Sequence, residues 1–195
     1  GHPALAECLR AGLLCNDSKL GSEDGRRKVQ GDPTEAALIV AAEKGGLKHD
    51  DLIRESPRVD MIPFESEHMF RATLHEAGDG RVIYQVGALE VLLERCSDAL
   101  GDTNTAGALD QDAVHRAAEA MAARGLRVLA LVRRPVDKQH ATLEHAHVAE
   151  DLTFLGLQGM IDPPRAAAIV AIGQFARAGI AVKMITGDHL VTARA

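Results

Sequence analysis

The stretch Arg71-Ala72-Thr73-Leu74-His75-Glu76-Ala77-Gly78-Asp79-Gly80-Arg81-Val82-Ile83-Tyr84-Gln85-Val86 decides how this sequence folds. Gly78-Asp79-Gly80 is a tight-turn sequence, and the runs on either side, Arg71 to Glu76 and Arg81 to Val86, read as the two strands of a hairpin. Arg58 to Phe64 reads as a further strand before it. After it come a short helix from Leu89 to Cys96, a loop from Gly101 to Gly107, and a helix from Asp110 to Arg124. Gly125 ends that helix, and Leu126 to Val132 reads as another strand. Upstream, residues 3 to 15 place Leu5, Cys8, Leu9 and Leu13 on one helical stripe. Gly21 to Gln30 is polar and contains glycine, so it reads as a loop. Asp32-Pro33-Thr34-Glu35 then opens a helix that runs to Lys44 and stops at Gly45-Gly46.

From Leu152 the character changes. Leu152 to Ile161 is a continuous apolar strand closed by Asp162-Pro163-Pro164-Arg165. A helix with Ile169, Ile172 and Ala176 on one face runs to Gly179. A buried-type strand, Ile180 to Ile185, then ends in Thr186-Gly187-Asp188, where another helix begins. Strand, helix, strand, turn and helix make the pattern of a parallel α/β sheet, whose ligands bind at the carboxyl ends of its strands. A chain that stops within such an element reads as a piece excised from something larger.

The 195 residues are 46 % hydrophobic and 26 % charged, the balance of a soluble globular protein of about one domain. Twenty-two Lys and Arg against 28 Asp and Glu give a net charge of −6, which argues against a nucleic-acid partner. No uncharged apolar run approaches the ~20 residues needed to cross a bilayer, and no secretory signal opens the chain. Three cysteines, Cys8, Cys15 and Cys96, without C-x-x-C spacing exclude a disulfide framework and the common cysteine zinc patterns. They suit a reducing compartment.

Several residues are able to carry chemistry. Thr186-Gly187-Asp188, between a strand and a helix, is either a phosphate cradle or a helix cap. Asp162-Pro163-Pro164-Arg165 is a site or a stiff hinge. Asp32 and Glu35 have capping-box spacing, which accounts for both without a ligand. Phe64, at a strand end among polar residues, is either a base-stacking ring or an ordinary core residue. Arg127 lies in an apolar strand and needs a carboxylate or phosphate partner; Arg71 is a comparable candidate. His140, His145 and His147 cluster near Glu144 and Glu150, but without a helical i, i+4 pair of histidines the stretch reads as a solvated loop.

Seven segments occur together in one order: Cys15-Asn16-Asp17-Ser18, Gly31-Asp32-Pro33-Thr34-Glu35-Ala36-Ala37-Leu38, Pro63-Phe64-Glu65-Ser66-Glu67, Gly87-Ala88-Leu89-Glu90, Gly125-Leu126-Arg127-Val128-Leu129, Asp162-Pro163-Pro164-Arg165 and Met184-Ile185-Thr186-Gly187-Asp188-His189. Each is short, but their joint occurrence resembles the cytoplasmic ATP-binding region of P-type cation-transporting ATPases of the calcium- and sodium-pump-like branch. The resemblance covers nearly the whole chain. It implies an α/β protein: an α+β nucleotide-binding (N) domain over residues 1–161, with an antiparallel sheet flanked by helices. Residues 162–195 would be a hinge and part of a haloacid-dehalogenase-like phosphorylation (P) domain. It also implies a nucleotide site of Glu35, Phe64, Gly87, Arg127, Thr186, Gly187 and Asp188. Phe64 would stack on adenine, Glu35 would lie at the base, Arg127 would approach the phosphates, and Thr186-Gly187-Asp188 would meet the γ-phosphate.

The implied ligand is ATP or ADP, with magnesium held by groups outside this chain, and no metal ligand is assigned within it. The implied partners are the P, actuator and transmembrane domains of the same polypeptide, at the cytoplasmic face of a membrane. Val86 stands where the family carries a lysine and Leu89 where it carries a proline, while His68 and Met69 replace basic residues. The phosphorylated aspartate with its Asp-Lys-Thr-Gly-Thr motif, and the Gly-Asp-Gly segment beyond Thr186, are not in this sequence. The fragment alone is therefore expected to be inactive. The alternative is a stand-alone, non-catalytic nucleotide sensor. A haloacid-dehalogenase-type phosphatase with a large cap is set aside for want of a recognisable Asp-x-Asp nucleophile.

Overall fold

Gly78 adopts φ +57°, and Ala77 pairs with Gly80 across it, so the central hairpin closes where its turn residues put it. In the computed structural model, which describes residues 2–23, 26–161, 166–183 and 185, this hairpin is the middle of a seven-stranded sheet. The chain runs α1 (Pro3–Leu14), β1 (Lys19–Glu23), β2 (Arg26–Gln30), α2 (Pro33–Lys44), α3 (His49–Glu55), β3 (Arg58–Glu65), β4 (Phe70–Ala77) and β5 (Gly80–Gly87). It continues as α4 (Leu89–Leu93), β6 (Cys96–Leu100), β7 (Ala106–Gly107), α5 (Gln111–Ala122), β8 (Arg127–Val136), a 3₁₀ turn (His145–Val148), β9 (Leu152–Met160) and α6 (Ala166–Arg177). The sheet order is β3-β4-β5-β8-β9-β6-β7, antiparallel throughout except for the parallel pair β6–β9. This is the expected antiparallel sheet with flanking helices.

Alternation along the strands gives the sheet two apolar faces. Val82, Tyr84, Val86 and Leu131 face one core with Cys8, Ala11, Leu13 and Leu38, so α1 and α2 cover that side. Phe70, Ala72, Leu74, Ile83, Ala130 and Val132 face the other with Leu92 and Ala118, beneath α4 and α5. β4 and β5 bury Arg71, Thr73, His75 and Gln85 among these apolar residues. Of the candidate residues, Phe64, Gly87 and Arg127 lie at the ends of β3, β5 and β8.

Four expectations are corrected. Residues 21–23 and 26–30 belong to the hairpin β1–β2 rather than a loop, its strands pairing antiparallel with Leu20 opposite Val29. That pairing is invisible to a pattern read one strand at a time. The helix at Leu89 stops at Leu93, since Cys96 and the residues after it are claimed by the parallel partner β9, more than fifty residues away in sequence. Residues 180–183 and 185 are exposed and form no strand. β9 already has β8 and β6 on its two edges, and a lone apolar segment with no sheet partner leaves its backbone groups unpaired. Finally, Asp110-Gln111-Asp112 does have Asp-x-Asp spacing. It is a helix start: the Asp110 carboxylate accepts from Ala113 N at 2.8 Å and caps α5. Thr186, Gly187, Asp188 and the segment 162–165 lie outside the described residues.

His75 of β4 is 2 % exposed, with its ring Nδ1 2.9 Å from the Ser56 carbonyl oxygen. Burial pushes its pKa down from 6.5 to about 4, and the charges of Arg58 and Arg10 push the same way. Between those values the unfolded chain binds a proton that the folded one refuses. His75 therefore costs the fold no stability above pH ~6.5, and destabilises it increasingly as pH falls from there towards ~4, by up to about 3 kcal/mol. Denaturant unfolding of wild type and His75→Gln between pH 7 and 4 should show a shallower acid loss in the variant. Equal slopes would mean that another group carries the acid sensitivity.

Candidate functional site

Asp32 and Pro33 begin α2 as their types dictate. Pro33 occupies the first turn, where its missing N–H costs nothing, and the Asp32 carboxylate accepts from Thr34 N at 2.8 Å and Glu35 N at 3.1 Å. The reciprocal half of a capping box is not how Glu35 is used. Its Oε2 accepts from Asp17 N at 3.0 Å and from the Ser18 hydroxyl at 3.2 Å, and its Oε1 takes the Arg71 guanidinium. Arg71 is 5 % exposed and divides its donors between Glu35 and Asp17, while Arg58 bonds Asp17 from β3. Burial works to raise the pKa of Asp17, but the hydrogen bonds from Arg58 and Arg71 outweigh it and hold the carboxyl below the usual range. The partner that Arg71 required is thus a pair of carboxylates.

Beside this network lies a cavity of about 240 Å³, bounded by Glu35, Arg71, Val86, Gly87, Phe64 and Arg127 among others. A second cavity of about 530 Å³ adjoins it and shares Phe64, Gly87 and Arg127. Of the seven site residues read from the sequence, the fold therefore brings Glu35, Phe64, Gly87 and Arg127 to one place. Phe64 is 55 % exposed at the end of β3, so it is not a core residue. Arg127 is exposed at the start of β8 and has no ion-pair partner among the described residues. Among the described residues, the other arginine lining these cavities is Arg71, which is already neutralised by Glu35 and Asp17.

Two features of the site were not legible in the sequence. Val86 is 5 % exposed and stands directly opposite Arg71 in the β4–β5 register, so both side chains project from the same face. The cavity wall there is apolar, with its cation one strand over. At Gly87, an added Cβ would lie 2.5 Å from the Met69 carbonyl oxygen and 2.6 Å from Phe70 Cβ. Close approach of the neighbouring strand β4 is therefore enough to require glycine at this position. Burial raises the thiols of Cys8 to about 11 and of Cys96 to about 12, and raises that of Cys15 as well, which suits three free and unreactive cysteines.

The model of the P-type ATPase cytoplasmic domain N matches residues 4–167. The chain belongs to that family. The chain is 48 % identical to a cation-transporting ATPase of Synechocystis over 99 % of its own length and 21 % of the relative's. It is 37 % identical to calcium-transporting ATPase 1 of Lactococcus lactis, over 96 % of this chain and 21 % of that protein. It is 38 % identical to a sodium/potassium exporting P-type ATPase of Schizosaccharomyces pombe, over 99 % of this chain and 18 % of that one. The chain thus spans about a fifth of the length of these relatives. No described helix is long and apolar enough to cross a membrane.

Within the N domain, Arg71 and Arg127 should separate cleanly by experiment. Arg71→Ala strands the mostly buried Glu35 carboxylate without its cation, a change that costs about 3–5 kcal/mol for a buried pair. Arg127→Ala touches no such network and should stay within about 0.5 kcal/mol of wild type. Thermal or denaturant unfolding checks both, and similar losses for the two would show that the Arg71 network does not support the fold.

Proposed function

We propose that this N domain binds ATP in the paired cavities and, within a full-length cation pump, presents the γ-phosphate to an aspartate outside the chain. The observation that carries this reading is the joint placement of a half-exposed ring, Phe64, and an unpaired guanidinium, Arg127, on the walls of the same two cavities. A purine needs a flat apolar face to stack on, and a triphosphate needs a cation not already neutralised. Phe64 supplies the first and Arg127 the second. Glu35, held by Arg71 and Ser18, lines the base end through a fixed carboxylate rather than a mobile one.

Residues 1–161 are the nucleotide-binding unit in this reading, and 162–195 are the hinge and the start of the phosphorylation domain. Thr186, Gly187 and Asp188 complete the phosphate end from there. Magnesium arrives with ATP and neutralises the transferring group, held by acids beyond this chain. The aspartate nucleophile would form a covalent phosphoenzyme, so the 195 residues alone should release no phosphate from magnesium-ATP. The relatives' lengths, about five times that of this chain, favour a pump over a stand-alone sensor.

Phe64→Ala should weaken ATP and ADP alike, by roughly five- to 150-fold for ~1–3 kcal/mol of lost stacking. Because the ring is exposed, the fold should survive the change. Arg127→Ala should weaken ATP but leave adenosine unchanged, with a loss that shrinks at high salt. Calorimetric titrations of ATP, ADP and adenosine check both. If neither variant changes ATP affinity, the nucleotide does not lie in these cavities.

A further inference from the structure

We propose that Glu65, His68 and His145 form a binding site for a divalent transition-metal ion of the Zn²⁺ type, beside the nucleotide cavities. The three side chains come from two distant parts of the sequence, and their ligand atoms all lie within 4.8 Å of one another. His68 Nε2 is 3.4 Å from Glu65 Oε2, and the His68 and His145 rings stand 4.3 Å apart, centroid to centroid. Zinc held at about 2.0–2.2 Å by nitrogen and carboxylate oxygen in a tetrahedral shell sets its donors roughly 3.3–3.5 Å apart. The Glu65–His68 pair already has that spacing, and both distances to the His145 donor lie within 4.8 Å. Two imidazoles and one carboxylate suit Zn²⁺ and its neighbours in the transition series, whereas Mg²⁺ and Ca²⁺ prefer oxygen shells.

The backbone holds these donors where a metal needs them. β3 passes into β4 through a turn in which His68 N and Met69 N both donate to the Glu65 carbonyl, at 3.1 and 2.8 Å. Met69 adopts φ +57°, a conformation a side chain enters only at some cost. Glu65 and His68 are thereby fixed three residues apart on one side of the turn. His145 opens the 3₁₀ turn His145–Val148, anchored by fully buried Val148 and by the mutual bonds of Glu144 and His147. Phe70, also fully buried, lies beneath both imidazoles with centroids 6.0–6.1 Å away. Glu65 is 52 % and His68 35 % exposed, so a hydrated ion can reach them and keep a water in its fourth position. A stretch that reads as a solvated loop in sequence thus delivers one histidine to a pair it cannot see.

The test is a Zn²⁺ titration of the 195-residue chain, free of any affinity tag, by calorimetry in a non-chelating buffer without nucleotide. Its outcome therefore does not depend on the nucleotide reading. One saturable Zn²⁺ per chain is expected, with Mg²⁺ at the same concentration neither binding there nor competing. Loss of an outer-shell partner alone weakens metal sites 10–100-fold, so Glu65→Gln, His68→Gln and His145→Gln should each weaken Zn²⁺ by roughly tenfold or more. His140→Gln removes a member of the neighbouring His140–His147 ring pair and should leave the affinity unchanged. Zn²⁺ should also raise the melting temperature of wild type but not of the His68→Gln/His145→Gln variant, since binding to the folded form alone stabilises it. Absence of saturable binding overturns the proposal. So does an affinity that follows His140→Gln while ignoring the three ligands.

Discussion

The guanidinium of Arg71 is the constraint on which the site end of this domain depends. It is carried on β4, inside the sheet, yet its partners lie outside it: Glu35 on the first turn of α2 and Asp17 on the segment after α1. Arg58 on β3 repeats the connection to Asp17. A buried cation must be neutralised where it stands, so α2 has to start over β4 and the segment 15–18 has to run between them. Those placements close one side of the cavity and fix the Glu35 carboxylate within its wall.

This arrangement sorts the charged groups of the site by what they are free to do. Arg71 is engaged by Glu35 and Asp17, Glu35 by Arg71, Asp17 N and Ser18, and Asp32 spends its carboxylate on the helix N-terminus. Arg127 and the ring of Phe64 have no such commitments among the described residues. The apolar Val86 opposite Arg71 fits the same division, because a second cation on that face would compete for carboxylates already in use. Groups committed to the fold and groups free of it thus line the same cavity.

The turn between β3 and β4 connects this site to the rest of the molecule. Phe64 and Glu65 are consecutive, so whatever fixes the Glu65–Met69 turn also fixes the exposed ring. The 3₁₀ turn at His145 approaches the same place from the β8–β9 connection, over Phe70, with Arg95 stacked 4.5 Å from that ring and bonded to the Val148 carbonyl.

Much of the fold was legible because its signals are local. Gly78-Asp79-Gly80 dictates a hairpin, Asp32-Pro33 starts a helix, and Gly45-Gly46 ends it through backbone preferences that need no partner. The ordered segments around Glu35, Phe64, Gly87 and Arg127 likewise pointed to the family and to residues that the fold does bring together. What the sequence could not give was any property set by a remote partner. Leu20 meeting Val29, Cys96 drawn into β6 by β9, Glu35 turned from its own helix cap to Arg71, and His145 set beside His68 all depend on which surfaces meet. A side chain's local preference is worth a few tenths of a kcal/mol to about 1, while stranding a buried charge or leaving backbone groups unpaired costs several times more. Where the two conflicted, tertiary structure decided.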